Sequence, residues 1–322
     1  MTKLLKLTGA ATALLSLSIA GTALANATVD ESLPTYEPTS GLSGGLKGAG
    51  SDTLNNLMAV WMEAFEGFYP GVETEYDGKG SSTAPVGLTN GTSDLGPMSR
   101  AMKASEIDDF KAKFGYEPTE IPVAVDALAV FVHKDNPIDG LTLAQVQEIF
   151  SIEGSDSITW GDVGVTDPEF ADQAITLYGR NSASGTYGYF QKVGLGESDY
   201  KPSVKEQPGS SGVINGVAND KFAIGYSGIG YATADVRAVP LSADDGEPFV
   251  EATADNAYVG DYPLARFLYI YANVPPNGAP TKKVGEFLKM VLSKQGQAIV
   301  AEDGYYPLPA RIVENSRAKL GE

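Results

Sequence analysis

Apolar and polar positions along the chain follow two periods in turn. Apolar residues three and four apart predict helices that bury one side over 54–69, 104–114, 142–150, 186–193, 211–219, 282–293 and 294–303, with a shorter one over 84–90. Between them, short apolar runs rich in β-branched and aromatic residues predict strands over 121–133, 174–178, 222–226 and 267–272. Such alternation is expected of α/β layers. Residues 26–46 are polar, rich in Pro, Ser, Thr and Gly and without period, and read as a flexible leader, with order beginning near Lys47. The longest strand pattern, Pro122 to His133, is interrupted by the charged Asp126. Carboxylates are rarely buried without a partner, so Asp126 either caps backbone N–H groups at a strand end or faces a ligand.

The N-terminus changes the picture. Met1-Thr2-Lys3-Leu4-Leu5-Lys6 is followed by an apolar run to Ala20 and by Ala23-Leu24-Ala25, the pattern of a secretory signal peptide cleaved after Ala25. No other run reaches the roughly 18 apolar residues of a membrane-spanning helix, so a soluble exported protein is expected. Cysteine is absent, which excludes a lipid-anchored cysteine, disulfides, thiolate metal sites and thiol catalysis. The 322 residues, less that peptide, have the length of two domains or one large one. The net charge of −18 becomes −20 when Lys3 and Lys6 are removed. That balance argues against nucleic acid or an anionic membrane surface as partner, and it requires any anion site to work through local donors inside a cleft.

Three segments offer such donors. Gly179-Arg180-Asn181-Ser182-Ala183-Ser184-Gly185-Thr186-Tyr187 sets an arginine ahead of a Ser-Gly-Thr turn that opens a helix. An arginine fork matches an oxyanion, and the free N–H groups of a first helical turn favour negative charge. Gly48-Ala49-Gly50-Ser51-Asp52-Thr53 and Gly78-Lys79-Gly80-Ser81-Ser82-Thr83 also precede helical patterns, and together the three suggest a small tetrahedral anion held by loops. Taken singly, Ser51, Ser81 and Ser184 also read as ordinary helix N-caps. Arg100 reads equally as a cleft residue or as half of a surface ion pair. The single histidine, His133, precedes a turn sequence and reads as a solvated loop or hinge residue rather than a catalyst. Tyr187, Tyr189 and Phe190 have the spacing of core residues, and Tyr305-Tyr306-Pro307-Leu308-Pro309 that of a segment packing back on the fold. The Gly-x-x-x-x-Gly-Lys-Ser/Thr nucleotide loop is absent.

From Lys47 onward the chain resembles the periplasmic phosphate-binding proteins of phosphate-specific ABC importers. The matching stretches are Gly48 to Thr53, Gly80 to Ala84, Asp94-Leu95-Gly96-Pro97-Met98-Ser99-Arg100, Val125 to Pro137, Leu141-Thr142 with Gln145 and Ile149-Phe150, Ile158-Thr159-Trp160, and Arg180 to Thr186. The resemblance implies a two-lobed, type II-like α/β binding-protein fold with the ligand in the cleft. Lobe one would comprise 47–131 and 263–322, and lobe two 132–262. It also implies a phosphate shell of Ser51, Asp52, Thr53, Ser81, Ser99, Arg180, Ser184, Gly185 and Thr186. Where some members place a phosphate-facing aspartate, this chain has Ser99 followed by Arg100. Others carry Ser-Arg there and an aspartate in the next strand, which Asp126 matches. At neutral pH phosphate still carries a proton and sulfate does not, and an ionised carboxylate only accepts hydrogen bonds; a carboxylate in the shell therefore rejects sulfate. Asp126 is the first candidate for that role and Asp52 the second.

The expected function is capture of inorganic phosphate in the periplasm by a monomer and delivery to an inner-membrane ABC permease, without catalysis, metal or cofactor. Two alternatives stand beside it. One is the same fold holding phosphite, sulfate or molybdate. The other is a phosphate-ester hydrolase using Ser184 or Thr186 as nucleophile, which would need an adjacent base or metal.

Overall fold

The computed structural model describes residues 27–276 and 278–321; the expected signal peptide lies outside them. The chain opens with strand β1 (Gly44–Ala49), a single 3-10 turn and helix α1 (Asn55–Phe68). It continues through β2 (Val72–Asp77), α2 (Thr83–Asn90), β3 (Leu95–Met98), α3 (Ala104–Phe114) and the long β4 (Thr119–His133). Then follow β5 (Leu141–Thr142), α4 (Leu143–Phe150), β6 (Thr176–Arg180), α5 (Gly185–Tyr189), β7 (Lys205–Gln207), α6 (Ser210–Ala218) and β8 (Ala223–Gly228). The chain ends with β9 (Val236–Ala238), β10 (Leu241–Ser242), α7 (Ala254–Val259), β11 (Ala265–Ala272), α8 (Lys282–Val291), α9 (Lys294–Glu302) and α10 (Ala310–Ala318). Among the described residues no helix is long and apolar enough to cross a membrane.

The strands join in the order β2-β1-β3-β11-β4-β8-β6-β7, with β9 also on β4. The decisive feature is β4, whose run from Val123 to Val132 is wholly buried, as a strand covered on both faces must be. Its first part pairs antiparallel with β11, from Ala127↔Ala265 to Thr119↔Ala272. Its second part pairs antiparallel with β8, from Leu128↔Gly228 to Val132↔Ile224. The exchange of partners falls between Ala127 and Leu128, ahead of the lobe boundary expected at 131/132. One strand thus runs through both halves of a two-lobed α/β fold, and Asp126 sits beside the crossing point.

The expectation of a flexible leader over 26–46 is corrected. Leu33 and Tyr36 are buried in the main core, and the strand starts at Gly44, pairing with Val72. The Tyr36 hydroxyl shares a buried network with the Tyr69 hydroxyl (2.6 Å) and the Glu286 carboxylate (3.0 Å), while Gln295 accepts from the Tyr36 backbone N–H at 2.9 Å. Polar composition hid two buried apolar residues, and the Glu286 and Gln295 partners of Tyr36 lie far along the chain. The helical pattern expected over 186–193 also proves irregular, with α5 passing into a π turn at Phe190–Gly194.

Candidate functional site

Each glycine–hydroxyl segment forms a loop at the end of a strand, and the fold brings the loops together. After β1, Gly50 passes so close to β3 that a Cβ there would lie 2.0 Å from the Pro97 carbonyl oxygen; only glycine allows the approach. Ser51 N–H then donates to Pro97 O at 2.8 Å, and Ser51 Oγ accepts from Thr53 N–H at 3.2 Å. Three tyrosines brace this loop. Tyr76, Tyr231 and Tyr305 donate to the backbone oxygens of Ser51, Asp52 and Thr53 at 2.6, 2.9 and 2.8 Å. Burial pushes all three phenols up, which keeps them neutral donors.

Ser51 Oγ donates to Ser99 Oγ at 2.9 Å, and Ser99 Oγ shares a hydrogen with Ser81 Oγ at 3.2 Å. Ser99 N–H donates to Ser81 Oγ at 3.0 Å. Ser184 Oγ accepts from Thr186 N–H (3.1 Å) and Tyr187 N–H (3.4 Å), an N-cap in the ordinary sense. Thr186 Oγ1 reaches Thr53 Oγ1 across the cleft at 2.8 Å. Gly185 sits against the serines, and a Cβ on it would fall 2.3 Å from Ser81 Oγ and 2.7 Å from Ser99 Oγ. Seven of the ten residues expected in the site, namely Ser51, Thr53, Ser81, Ser99, Ser184, Gly185 and Thr186, therefore form one buried cluster drawn from both lobes.

The charged members flank that cluster as two pairs. Arg180 is 1% exposed. Its Nη1 donates to Ser210 Oγ at 2.7 Å, and its Nη2 lies 3.3 Å from Pro208 O and 3.1 Å from Asp52 Oδ1. Its Nε is buried with no hydrogen-bond partner among the described residues. Burial pulls the guanidinium down from its ordinary value; Asp52 opposes this, and the nearby Arg266 charge adds to the lowering. Asp126 has no exposure at all. Its Oδ2 accepts from Arg266 Nε and Nη2 at 2.9 and 2.7 Å, and its Oδ1 accepts from Ile229 N–H at 3.0 Å. Of the two alternatives for Asp126, the backbone-capping contact is present, and the carboxylate is also paired with an arginine.

Arg266 is the residue that sequence reasoning missed. It lies opposite Asp126 in the β4–β11 register and donates to Ser99 O at 2.8 Å and Thr186 Oγ1 at 2.9 Å. The Tyr189 ring supports it 5.2 Å from the guanidinium carbon. Its only signal in the sequence is a charge inside the apolar run 265–272, the same signal that drew attention to Asp126. Arg100 belongs to a different structure, an ion pair with Glu106 at 2.7 Å that also closes the start of α3. His133 ends β4, where its Nδ1 accepts from Asp135 N–H. Phe190 stacks on Tyr226 at 4.0 Å within the core, whereas Tyr187, expected there too, is only half-buried and tilts against Tyr200 at 4.4 Å.

A family model for the PBP superfamily domain matches residues 25–295. Over 306 residues, 94% of each chain, the sequence is 52% identical to the phosphate-binding protein PstS of Pseudomonas aeruginosa. The chain belongs to the PBP superfamily, in the family of the PstS proteins. A more distant PstS, from Staphylococcus epidermidis, is 28% identical over 275 residues, 84% of this chain and 81% of that one. Among solved PBP structures, one from Clostridium perfringens, assigned as a phosphate ABC transporter substrate-binding protein and holding phosphate, superposes with a TM-score of 0.69. It shares 28% identity and covers 82% of this chain and all of that one. An ABC-type phosphate transport receptor from Vibrio cholerae superposes with a TM-score of 0.64 at 25% identity, with the same coverage.

Proposed function

We propose that this chain captures inorganic phosphate in the cleft between its lobes and hands it to an inner-membrane ABC permease, acting as a periplasmic monomer without catalysis. The lobes of this reading are 44–127 with 265–321, and 128–264, divided where β4 exchanges partners. The observation that carries the reading is the buried Arg180 Nε, a donor unmet among the described residues. Leaving a charged group's donor unmet in the interior is costly, and an anion in the hydroxyl cluster removes that cost.

The hydroxyl hydrogens give a measure of capacity. In the Thr53–Thr186 pair one hydrogen serves the pair and one is free; in the Ser51–Ser99–Ser81 chain two are used and one is free. Ser184 Oγ accepts twice and keeps its own hydrogen. With Arg180 Nε these make four donors for one anion. At roughly 1.5–3 kcal/mol per hydrogen bond to a charged group they supply about 6–12 kcal/mol, against about 8 kcal/mol for micromolar affinity. The proposed shell is thus Ser51, Thr53, Ser81, Ser99, Arg180, Ser184, Gly185 and Thr186, with Arg266 behind Thr186. A carboxylate offers about four acceptor positions, and Asp126 has three taken. The fourth, on Oδ1, is the acceptor proposed for the phosphate proton and the basis for rejecting sulfate.

Calorimetry on chain that has been unfolded and refolded to strip bound anions tests the reading. Micromolar or tighter phosphate binding without sulfate heat is expected, and Arg180→Ala should weaken it by about 2–5 kcal/mol. Equal binding of both anions, or of neither, overturns the proposal.

A further inference from the structure

Asp52 is the expected ligand residue whose contacts point elsewhere. It opens the 3-10 turn after β1, in lobe one, and its carboxylate partners belong to lobe two. Oδ1 accepts from Ser210 N–H, the first residue of α6, at 2.7 Å and lies 3.1 Å from Arg180 Nη2. The residue before α6 is Gly209, where a Cβ would lie 3.0 Å from Asp52 Oδ2, so a missing side chain makes room for the carboxylate. Arg180 Nη1 in turn donates to Ser210 Oγ at 2.7 Å. Tyr231, just beyond β8, fixes the backbone of the same residue by donating to Asp52 O at 2.9 Å. Aspartate, serine and arginine thus form a closed triangle of protein groups across the cleft.

We infer that Asp52 is an inter-lobe latch and positioning residue: it caps α6 from the opposite lobe and turns the Arg180 fork so that Nε remains for the anion. A carboxylate on the first N–H groups of a helix satisfies donors that the helix itself cannot, and its charge complements the positive end of α6. It also offsets the Arg180 charge, which would otherwise stand beside that of Arg266. Because these contacts run directly from an atom of lobe one to atoms of lobe two, the latch itself adds to the stability of the closed arrangement. Less of the anion's binding energy is then spent on closure. The ligand arms of the test rest on the phosphate-binding reading; the opening arm does not.

The experiment compares wild type, Asp52→Asn and Asp52→Ala as full-length, anion-stripped protein carrying a donor and an acceptor dye, one on each lobe. Ligand-free Asp52→Asn should show lower transfer efficiency than wild type, that is, a more open population. Its phosphate affinity should fall about 10- to 100-fold, the range for a lost charge-assisted hydrogen bond, chiefly as faster release. Sulfate should still not bind. If either variant fails to fold, Ser210→Pro removes the N–H that Asp52 accepts at a helix position that tolerates proline, and Ser210→Ala, which keeps that N–H, is its control. Unchanged transfer efficiency without ligand overturns the latch, as does sulfate binding by Asp52→Asn, which would make Asp52 the proton acceptor. Wild type that binds no phosphate refutes the proposed function and leaves the opening comparison readable.

Discussion

Replacing Arg266 by glutamine would leave the Asp126 carboxylate fully buried and, among the described residues, with the Ile229 N–H as its one remaining partner of those it now has. The change removes two charged bonds of 2.9 and 2.7 Å to Asp126 and those to Ser99 O and Thr186 Oγ1. Breaking a buried ion pair from one side costs about 3–5 kcal/mol because the remaining charge has no compensation. That is a large share of the roughly 5–15 kcal/mol by which domains are stable. Asp126→Asn should cost a similar amount, by stranding the guanidinium instead. The double variant Asp126→Asn with Arg266→Gln strands neither charge, so it should cost at least about 2 kcal/mol less than the sum of the two single changes. Urea unfolding of anion-stripped protein, followed by tryptophan fluorescence, reads all four species. Comparable slopes would show that the same surface is exposed in each. If the two single costs add to within about 0.5 kcal/mol, the residues do not act as a pair, and the account of Asp126 as a charge held by Arg266 is wrong.

Gly185→Ala should fold with near-native stability but lose phosphate affinity by more than about 100-fold, because the new Cβ would meet Ser81 Oγ and Ser99 Oγ at 2.3 and 2.7 Å and hold the lobes apart; isothermal titration showing native affinity would contradict this packing. Burial pushes the Asp303 carboxyl up from 3.8 to about 6. A carboxyl whose folded value is raised opposes folding once the unfolded group ionises, so this penalty is absent below about pH 4 and grows as pH rises through 6. Asp303→Ala should therefore raise the thermal midpoint at pH 7.5 relative to pH 4, measured as the difference from wild type at each pH, and a pH-independent difference would remove the cause given.

The sequence by itself determined the local periods and the donor loops. Helical spacing located α3 and α8 through residues such as Phe110 and Phe287, and apolar continuity marked β4 because a strand covered on both faces must be apolar throughout. Glycine and hydroxyl residues marked the loops that meet in the candidate site, because tight turns and unpaired helical N–H groups call for those residue types wherever they occur. Short strands such as β1, with the sequence Gly-Gly-Leu-Lys-Gly-Ala, have no period to show, and pairing with β2 and β3 is what makes them strands. The anchoring of Tyr36 was hidden for a related reason, since its partner Glu286 lies 250 residues away. Only the tertiary structure decided how the charges pair. Arg266 stands 140 residues from Asp126, and Asp52 is 158 residues from the Ser210 N–H that it caps. Nothing near any of them in sequence indicates a partner, because a carboxylate's burial cost is met by whichever cation or donor the fold brings to it. The β4–β11 register supplies Arg266, and closure of one lobe on the other supplies Arg180 and the start of α6.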